Sequence, residues 1–311
     1  MKLQTLFVVL CSCFCGLLTT QAATDDYYFK RLSIEHGLSH ATVNTILRDH
    51  RGRLWVGTAL GLNAVDRGNI KRYFYPSVEQ PSSQVGAVMG LYEGRDHLLW
   101  ALTNRGLYCY NAADDVFSEK ISRPICAGAV NEGLLFGGYS ALYRWNYATH
   151  TLTRLPFLKQ GLPKGDYLIT FLQQIDHNTL LVGTESNGIY TYSLRDSRLH
   201  PLIVKGEMVL SAMFWDRNRR ELWCSLYDQG LFRYNWWGRL LAHYDTSNSA
   251  LANNIVLTIQ QHRGRLWVGT DGGGISVIDP RRNTFTTIRH IPGDAHSLPV
   301  NSIKTLYEDT Y

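Results

Sequence analysis

Along most of the chain, apolar and polar residues alternate over runs of five to seven, and Gly, Asn or Asp separates the runs. Alternation over so short a stretch puts one face of an extended segment on a core and the other toward water, so these runs predict strands. VNTILRD, RLWVGT, GLNAVD and IKRYFYP succeed one another between Val43 and Pro76. IVLTIQQ, RLWVGT, GISVID and TFTTIRH do so between Ile255 and His290. No stretch carries the periodicity of a helix of useful length.

The two sets share a phrase, apolar-Trp-apolar-Gly-Thr, a short turn, then Gly-Leu or Gly-Ile opening the next run. It recurs at Leu54–Thr58, Leu99–Thr103, Leu134–Gly138, Leu180–Thr184, Leu222–Leu226 and Leu266–Thr270, the third being a worn copy. The spacing is roughly 42 residues, the length of one four-stranded propeller blade. The sequence therefore predicts an all-β fold, a β-propeller of four-stranded antiparallel blades spanning 27–311.

That geometry assigns roles to the framework positions. Trp55, Trp100, Trp223 and Trp267, or a Leu in their place, project between neighbouring blades and fill the gap that widens away from the axis. Gly57, Gly183 and Gly269 sit where a Cβ would crowd the adjoining sheet. Gly61, Gly106, Gly188, Gly230 and Gly274 open the third strand after a tight hairpin, where positive φ is expected.

The ends extend the series. YYFKRLS resembles an outermost strand and is expected to pair with the last blade and close the ring. SLPVNSIKTLYEDTY matches the start of a unit, as in GLSHATVNTILRDH and ALANNIVLTIQQH. The expectation is a seven-bladed type with the last blade incomplete: six full blades plus a partial seventh, in a fragment whose parent continues beyond Tyr311.

Composition alters this picture in three places. The start, MKLQTLFVVLCSCFCGLLTTQAA, has a Lys, an apolar stretch from Leu6 to Leu18, and Thr20 and Ala22 placed for cleavage near Ala22 or Ala23. This is the layout of a signal peptide over 1–22; about thirteen apolar residues fall short of the roughly 20 a bilayer span needs. Removal of that leader takes Cys11, Cys13 and Cys15 with it. Cys109, Cys126 and Cys224 remain, without metal-ligand spacing and odd in number, which argues against a disulfide framework or a zinc site. The net charge of +5 neither demands nucleic acid nor excludes an acidic ligand.

Taken together, the unit starts and the LWVGT–GL phrase resemble the two-component regulator propeller repeat. FKRLSIEHGLSHATVNTILRDHRGRLWVGTALGLNAVD is similar to the beginning of the periplasmic sensor in hybrid two-component systems of gut Bacteroidetes. The resemblance covers 27–311, clearest in the first and sixth units and weakest in the third. It implies an exported sensor whose parent adds a second propeller, a β-sandwich, a membrane helix, a histidine kinase and a DNA-binding output domain. It further implies a glycan or other small ligand, control of polysaccharide-utilisation genes, and homodimerisation of the parent. This chain itself would have no kinase activity, no nucleic-acid partner and no cofactor.

Residues that could carry chemistry are few. His36 and His40 form an H-x3-H pair on a loop rather than a helix, so their spacing has no ligand meaning and no metal is expected. DGGG at Asp271–Gly274 lacks the Lys-Ser/Thr of a P-loop and the acidic ladder of a calcium loop, and reads as a hairpin turn. Arg51 and Arg53, Arg217, Arg219 and Arg220, and Arg263 and Arg265 cluster in the turns between first and second strands, read as solvated turns rather than an acidic docking face. The turns from second to third strand vary between units, as loops on a rigid scaffold do when they serve binding. They supply the candidate ligand residues Asn104, Arg105, Tyr139, Glu185, Asn187, Tyr227, Asp228 and Asp271, types suited to sugar hydroxyls and ring faces. The rivals are a secreted lyase or glycosidase, which needs carboxylates or a His–Tyr–Arg group converging at the central opening, and a protein-interaction scaffold whose opening is plugged.

Overall fold

The computed structural model describes residues 27, 29–74, 86–123, 125–130, 133–159, 162, 165–204, 208–294 and 296–309. The leader and its cysteines lie outside the described residues. Each stretch of alternating pattern forms a strand. β1 to β4 are Val43–Arg48, Leu54–Thr58, Gly61–Asp66 and Asn69–Tyr73. β5 to β8 are Val88–Glu93, Leu99–Thr103, Leu107–Asn111 and Val116–Ile121. β9 to β12 are Ile125–Val130, Leu134–Gly138, Ala141–Asn146 and Thr151–Leu155. β13 to β16 are Ile169–Gln174, Thr179–Thr184, Ile189–Ser193 and Leu199–Ile203. β17 to β20 are Leu210–Asp216, Glu221–Leu226, Leu231–Asn235 and Leu240–Tyr244. β21 to β24 are Val256–His262, Arg265–Thr270, Ile275–Asp279 and Thr284–Ile288.

These make six sheets of four strands, each an antiparallel meander in chain order. Among the described residues the helical content is one 3-10 turn at Ile34–His36. Inner strands of consecutive blades lie side by side, from β1 against β5 through to β17 against β21. Every inner strand also breaks register near its start, between Val43 and Thr45 in the first blade and between Val256 and Thr258 in the sixth. One extra residue there bends and twists the strand, and its repetition in blade after blade shows it belongs to the architecture.

The cores lie between blades, as the indole positions require. Trp55 is fully buried with Leu62 and Tyr73 of its own blade and with Val88, Leu91 and Ala101 of the next. Trp100 packs on Phe136 and Trp145 of the third blade, and Trp223 on Val256, Leu266 and Ile278 of the sixth. Leu135 and Leu181 stand in the same place in the third and fourth blades. A Cβ on Gly57 would come 2.8 Å from Val88 Cγ1, and one on Gly183 would come 2.6 Å from Leu210 Cδ2, in each case a side chain of the following blade. The expected positive φ holds at Gly61, Gly188, Gly230 and Gly274 but not at Gly106. Gly106 is required for space instead, since a Cβ would stand 2.3 Å from Ile121 O.

The seventh blade expected from the sequence does not form as a sheet: neither 29–33 nor 297–309 pairs as a strand. Both segments nevertheless cover the open flank of the sixth blade. Ile275 and Val277 share a core with Leu298, packed by Phe29, Ile303 and Leu306. Asn301 O accepts from Gly274 N at 2.8 Å, matching Asn254 O and Gly230 N at 3.0 Å one blade earlier. Ile303 N donates to Thr270 O at 2.9 Å. The ring of Tyr27 stands edge-on to Trp267, 5.2 Å between centroids. From the other side, Arg48 of the first blade pairs with Asp309 at 2.6 Å. Trp267, lacking a full neighbouring sheet, is only partly buried.

Candidate functional site

In five of the six described blades the hairpin from second to third strand is held by its framework, which leaves the variable residues free to face solvent. The Thr closing the second strand donates its hydroxyl to the carbonyl of the Gly opening the third. These bonds run from Thr58 to Gly61 at 2.9 Å, Thr103 to Gly106 at 3.0 Å, Thr184 to Gly188 at 2.7 Å and Thr270 to Gly274 at 2.9 Å. In the fifth blade Ser225, one position earlier, does the same for Gly230 at 2.6 Å. The residue after this clasp usually extends its own blade's ladder by one bond. Asn104 N donates to Ala87 O at 3.1 Å, Glu185 N to Leu168 O at 2.9 Å, Tyr227 N to Val209 O at 2.8 Å and Asp271 N to Ile255 O at 2.9 Å. These residues therefore occupy equivalent places at the end of the blades where the inner strands begin. Tyr139 instead bridges to Leu168, just before the fourth blade's inner strand.

The eight sequence candidates thus share one face, but they form a rim rather than a contact cluster. Tyr139 and Tyr227 are 56% and 57% exposed, unusual for large aromatics and suited to stacking on a flat apolar face. Asn104, Arg105, Glu185, Asp228 and Asp271 are exposed too, and Asn187 is half-buried. Asn187 O accepts from Tyr190 OH at 2.6 Å, and Arg105 N is tied to Thr103 Oγ1 at 3.1 Å. Asp228 sits at φ +57 in its turn. Asp271 accepts from Ser302 Oγ at 2.6 Å, which couples the sixth-blade turn to the 297–309 segment.

The opposite face carries the arginine turns, and packing within and between blades accounts for most of them. Arg219 pairs with buried Asp216 at 2.6 Å, and Arg217 donates to Gln174 O of the preceding blade at 2.8 Å. Arg53 donates to Tyr110 OH at 3.2 Å and lies 5.5 Å over the Trp55 ring. Beside it, Lys71, Tyr73 and Tyr110 converge on Asp115 across the junction of the first two blades. Partial burial opposes its ionisation, yet those donors hold the Asp115 carboxyl down at about 2. The two thiols that can be described are inert: burial pushes Cys109 up to about 11 and Cys224 to about 12. Neither is disulfide-bonded.

Sequence spacing missed one cluster on this face. His50 follows β1, Glu93 ends β5 and His97 lies in the next turn, and their donor atoms fall within 4.8 Å of one another. They border a cavity of about 640 Å³ reaching Asp96, Tyr110 and Trp145. None of the eight rim candidates lines it. His36 and His40 are occupied elsewhere, His36 Nδ1 with Ser33 Oγ at 2.8 Å and His40 Nδ1 with Thr42 N at 2.9 Å.

Fold and site together define a radial repeat scaffold with a fixed frame and variable turns on one rim. Residues 37–59 and 250–272, which hold the start of the first and sixth units, match the family described as two component regulator propeller. Those two segments carry that family's repeat. Among solved structures it is similar to an extracellular domain from B. thetaiotaomicron described as belonging to a hybrid two component system, BT3049. That match has 24% identity and a TM-score of 0.71 and covers 91% of this chain and 39% of the other. A second such domain, of BT4673 from the same organism, matches at 20% identity and a TM-score of 0.72, covering 91% and 38%. The chain therefore spans less than two fifths of either structure. A search of curated proteins found no match. Among the described residues no helix is long and apolar enough to cross a membrane.

Proposed function

We propose that this chain is the ligand-sensing propeller of an exported, periplasmic sensor in a hybrid two-component system. In this reading the rim turns bind oligosaccharides. The signal passes to kinase and DNA-binding domains outside the chain, which control polysaccharide-utilisation genes. The observation that carries the reading is the regulator-propeller repeat on a scaffold shaped like the extracellular domains of such systems. The sugar assignment draws support from exposed Tyr139 and Tyr227 beside amide and carboxylate side chains on one rim. Ligand would act by favouring one packing of the propeller against the rest of its parent over another. Calorimetric titration of the purified chain with a panel of polysaccharide fragments tests this. At least one fragment should bind, and Tyr227→Ala should weaken it about tenfold, the loss of one stacking contact. Silence across the panel would remove the sugar assignment.

We also infer that 29–33 and 297–309 take the places of the outer and inner strands of a seventh blade whose two middle strands are not among the described residues. Support comes from the repeat-like bonds of Asn301 and Ile303 and from the edge-on contact of Tyr27 with Trp267. An apolar groove of about 520 Å³ between Ile46 and Val56 of the first blade and Val300 and Ile303 lies where those two strands would pack. Hydrogen exchange checks the inner strand: the Ile303 amide should be protected, and Ile303→Asp should release the whole segment. Exchange of Ile303 at the rate of a free peptide in the unaltered chain would end this reading.

A further inference from the structure

We propose that His50, Glu93 and His97 form a transition-metal site of the zinc class that clasps the first blade to the second. The two imidazoles lie against each other, tilted, at the blade junction, 4.1 Å between centroids and 33° between planes. His50 Nδ1 contacts Glu93 Oε1, and His97 Nδ1 stands 3.9 Å from the same oxygen. The carboxylate is anchored from behind, since the His50 backbone N–H donates to Glu93 Oε2 at 3.0 Å. Its side chain is only 16% exposed, against 62% for that of His97, so the pair His50–Glu93 is a preset half-site and His97 its movable member.

Donors about 3.3 Å apart surround a tetrahedral zinc at bond lengths of about 2.0–2.1 Å. The three atoms already lie within 4.8 Å, so closing the site needs a small swing of the exposed His97 ring. Binding would shift the single proton of the neutral His50 imidazole, by way of solvent, from Nδ1, where it faces Glu93, to Nε2. That frees Nδ1 for the cation and ends the 3.4 Å contact in which Nε2 accepts from Arg51 Nε. Two imidazoles and one carboxylate select zinc-like ions over calcium or magnesium, which take all-oxygen sets. Of the other charges of the cavity wall, Arg51 stands beside His50 and opposes a cation, while three are engaged elsewhere. Asp49 is engaged by Trp55 Nε1 at 2.8 Å, Asp96 by Trp145 Nε1 at 2.6 Å, and Arg53 by Tyr110. A fourth coordination position is left for water on the side of the cavity.

Zinc chloride titrated into the full chain, free of any affinity tag, should bind at one ion per chain. Melting should shift upward by several degrees at saturation, because the ion binds only the assembled junction; calcium and magnesium should give neither effect. His97→Asn keeps a residue type that tolerates the φ of +61 at this turn, and touches no core. It should weaken zinc at least tenfold and abolish the melting shift, as should Glu93→Gln. His296→Ala, on an exposed loop, should leave both intact. No zinc binding by the unaltered chain, or an affinity in the two site variants equal to that of the unaltered chain, would overturn the proposal.

Discussion

Trp55→Ala is expected to lower the unfolding free energy by about 3–5 kcal/mol, the range for deleting a large buried aromatic side chain from a core. Trp55 has no exposed surface and touches rings on both sides of a blade junction. Tyr73 lies 5.6 Å away in its own blade, and Tyr110 and Phe117 lie 5.1 and 5.9 Å away in the next. Blades diverge outward, so the space it fills cannot close unless a whole sheet rotates, and most of the cavity should persist. Its indole N–H also donates to Asp49, whose other oxygen caps the Arg51 and Arg53 amides. Trp55→Phe separates the two effects: it keeps most of the apolar contact and should cost about 1 kcal/mol for the lost hydrogen bond, plus a smaller packing loss. Trp267→Ala is the control, because Trp267 occupies the same repeat position without a complete neighbouring sheet. Its loss should be about half as damaging in the same urea titration. Equal costs at Trp55 and Trp267 would show that wedging between blades is not what gives the indole its weight.

Backbone and blade packing could be read from the sequence because each repeat restates the same steric demands. The LWVGT–GL phrase encodes a wedge, a close approach and a hairpin, and all three appear where the phrase occurs. Even the worn third copy folds as a full blade, since Phe136 and Trp145 supply the bulk that Trp100 needs beside it. The Thr hydroxyl clasp was less visible. Thr is common in strands for its branching, and nothing in the spacing says that its oxygen reaches the Gly carbonyl. Gly106 shows the reverse error, a position correctly marked as glycine for the wrong physical reason. The His50–Glu93–His97 cluster was out of reach, because the ring's curvature, not sequence distance, brings the turn of one blade onto the end of the next blade's inner strand. Which rim residues meet a ligand has the same character. Repeats fix where each turn stands but not how its side chains combine.

Gly230→Ala is expected to cost about 3 kcal/mol or more, where glycine in a strand interior ordinarily gains or loses about 1 kcal/mol against alanine. Two independent causes add at this position. Its φ of +78 is a left-handed conformation that costs an L-residue about 1–2 kcal/mol. A Cβ would also lie 2.2 Å from Tyr244 O, a carbonyl in the ladder of the outermost strand, which cannot swing aside as a side chain can. The displacement would reach further, because Gly230 N donates to Asn254 O at 3.0 Å and so ties the fifth blade to the start of the sixth. Gly264→Ala isolates the first cause: its φ is +77, and nothing lies within 4 Å of the added carbon. That variant should lose only the conformational share, about 1–2 kcal/mol. Both variants are compared by denaturant midpoint at constant slope. If Gly264→Ala proves as damaging as Gly230→Ala, positive φ alone accounts for the repeat's glycine. If Gly230→Ala is the more damaging by 1 kcal/mol or more, the close approach of outer strand to hairpin is what keeps glycine at the head of every third strand in blades that open with Gly.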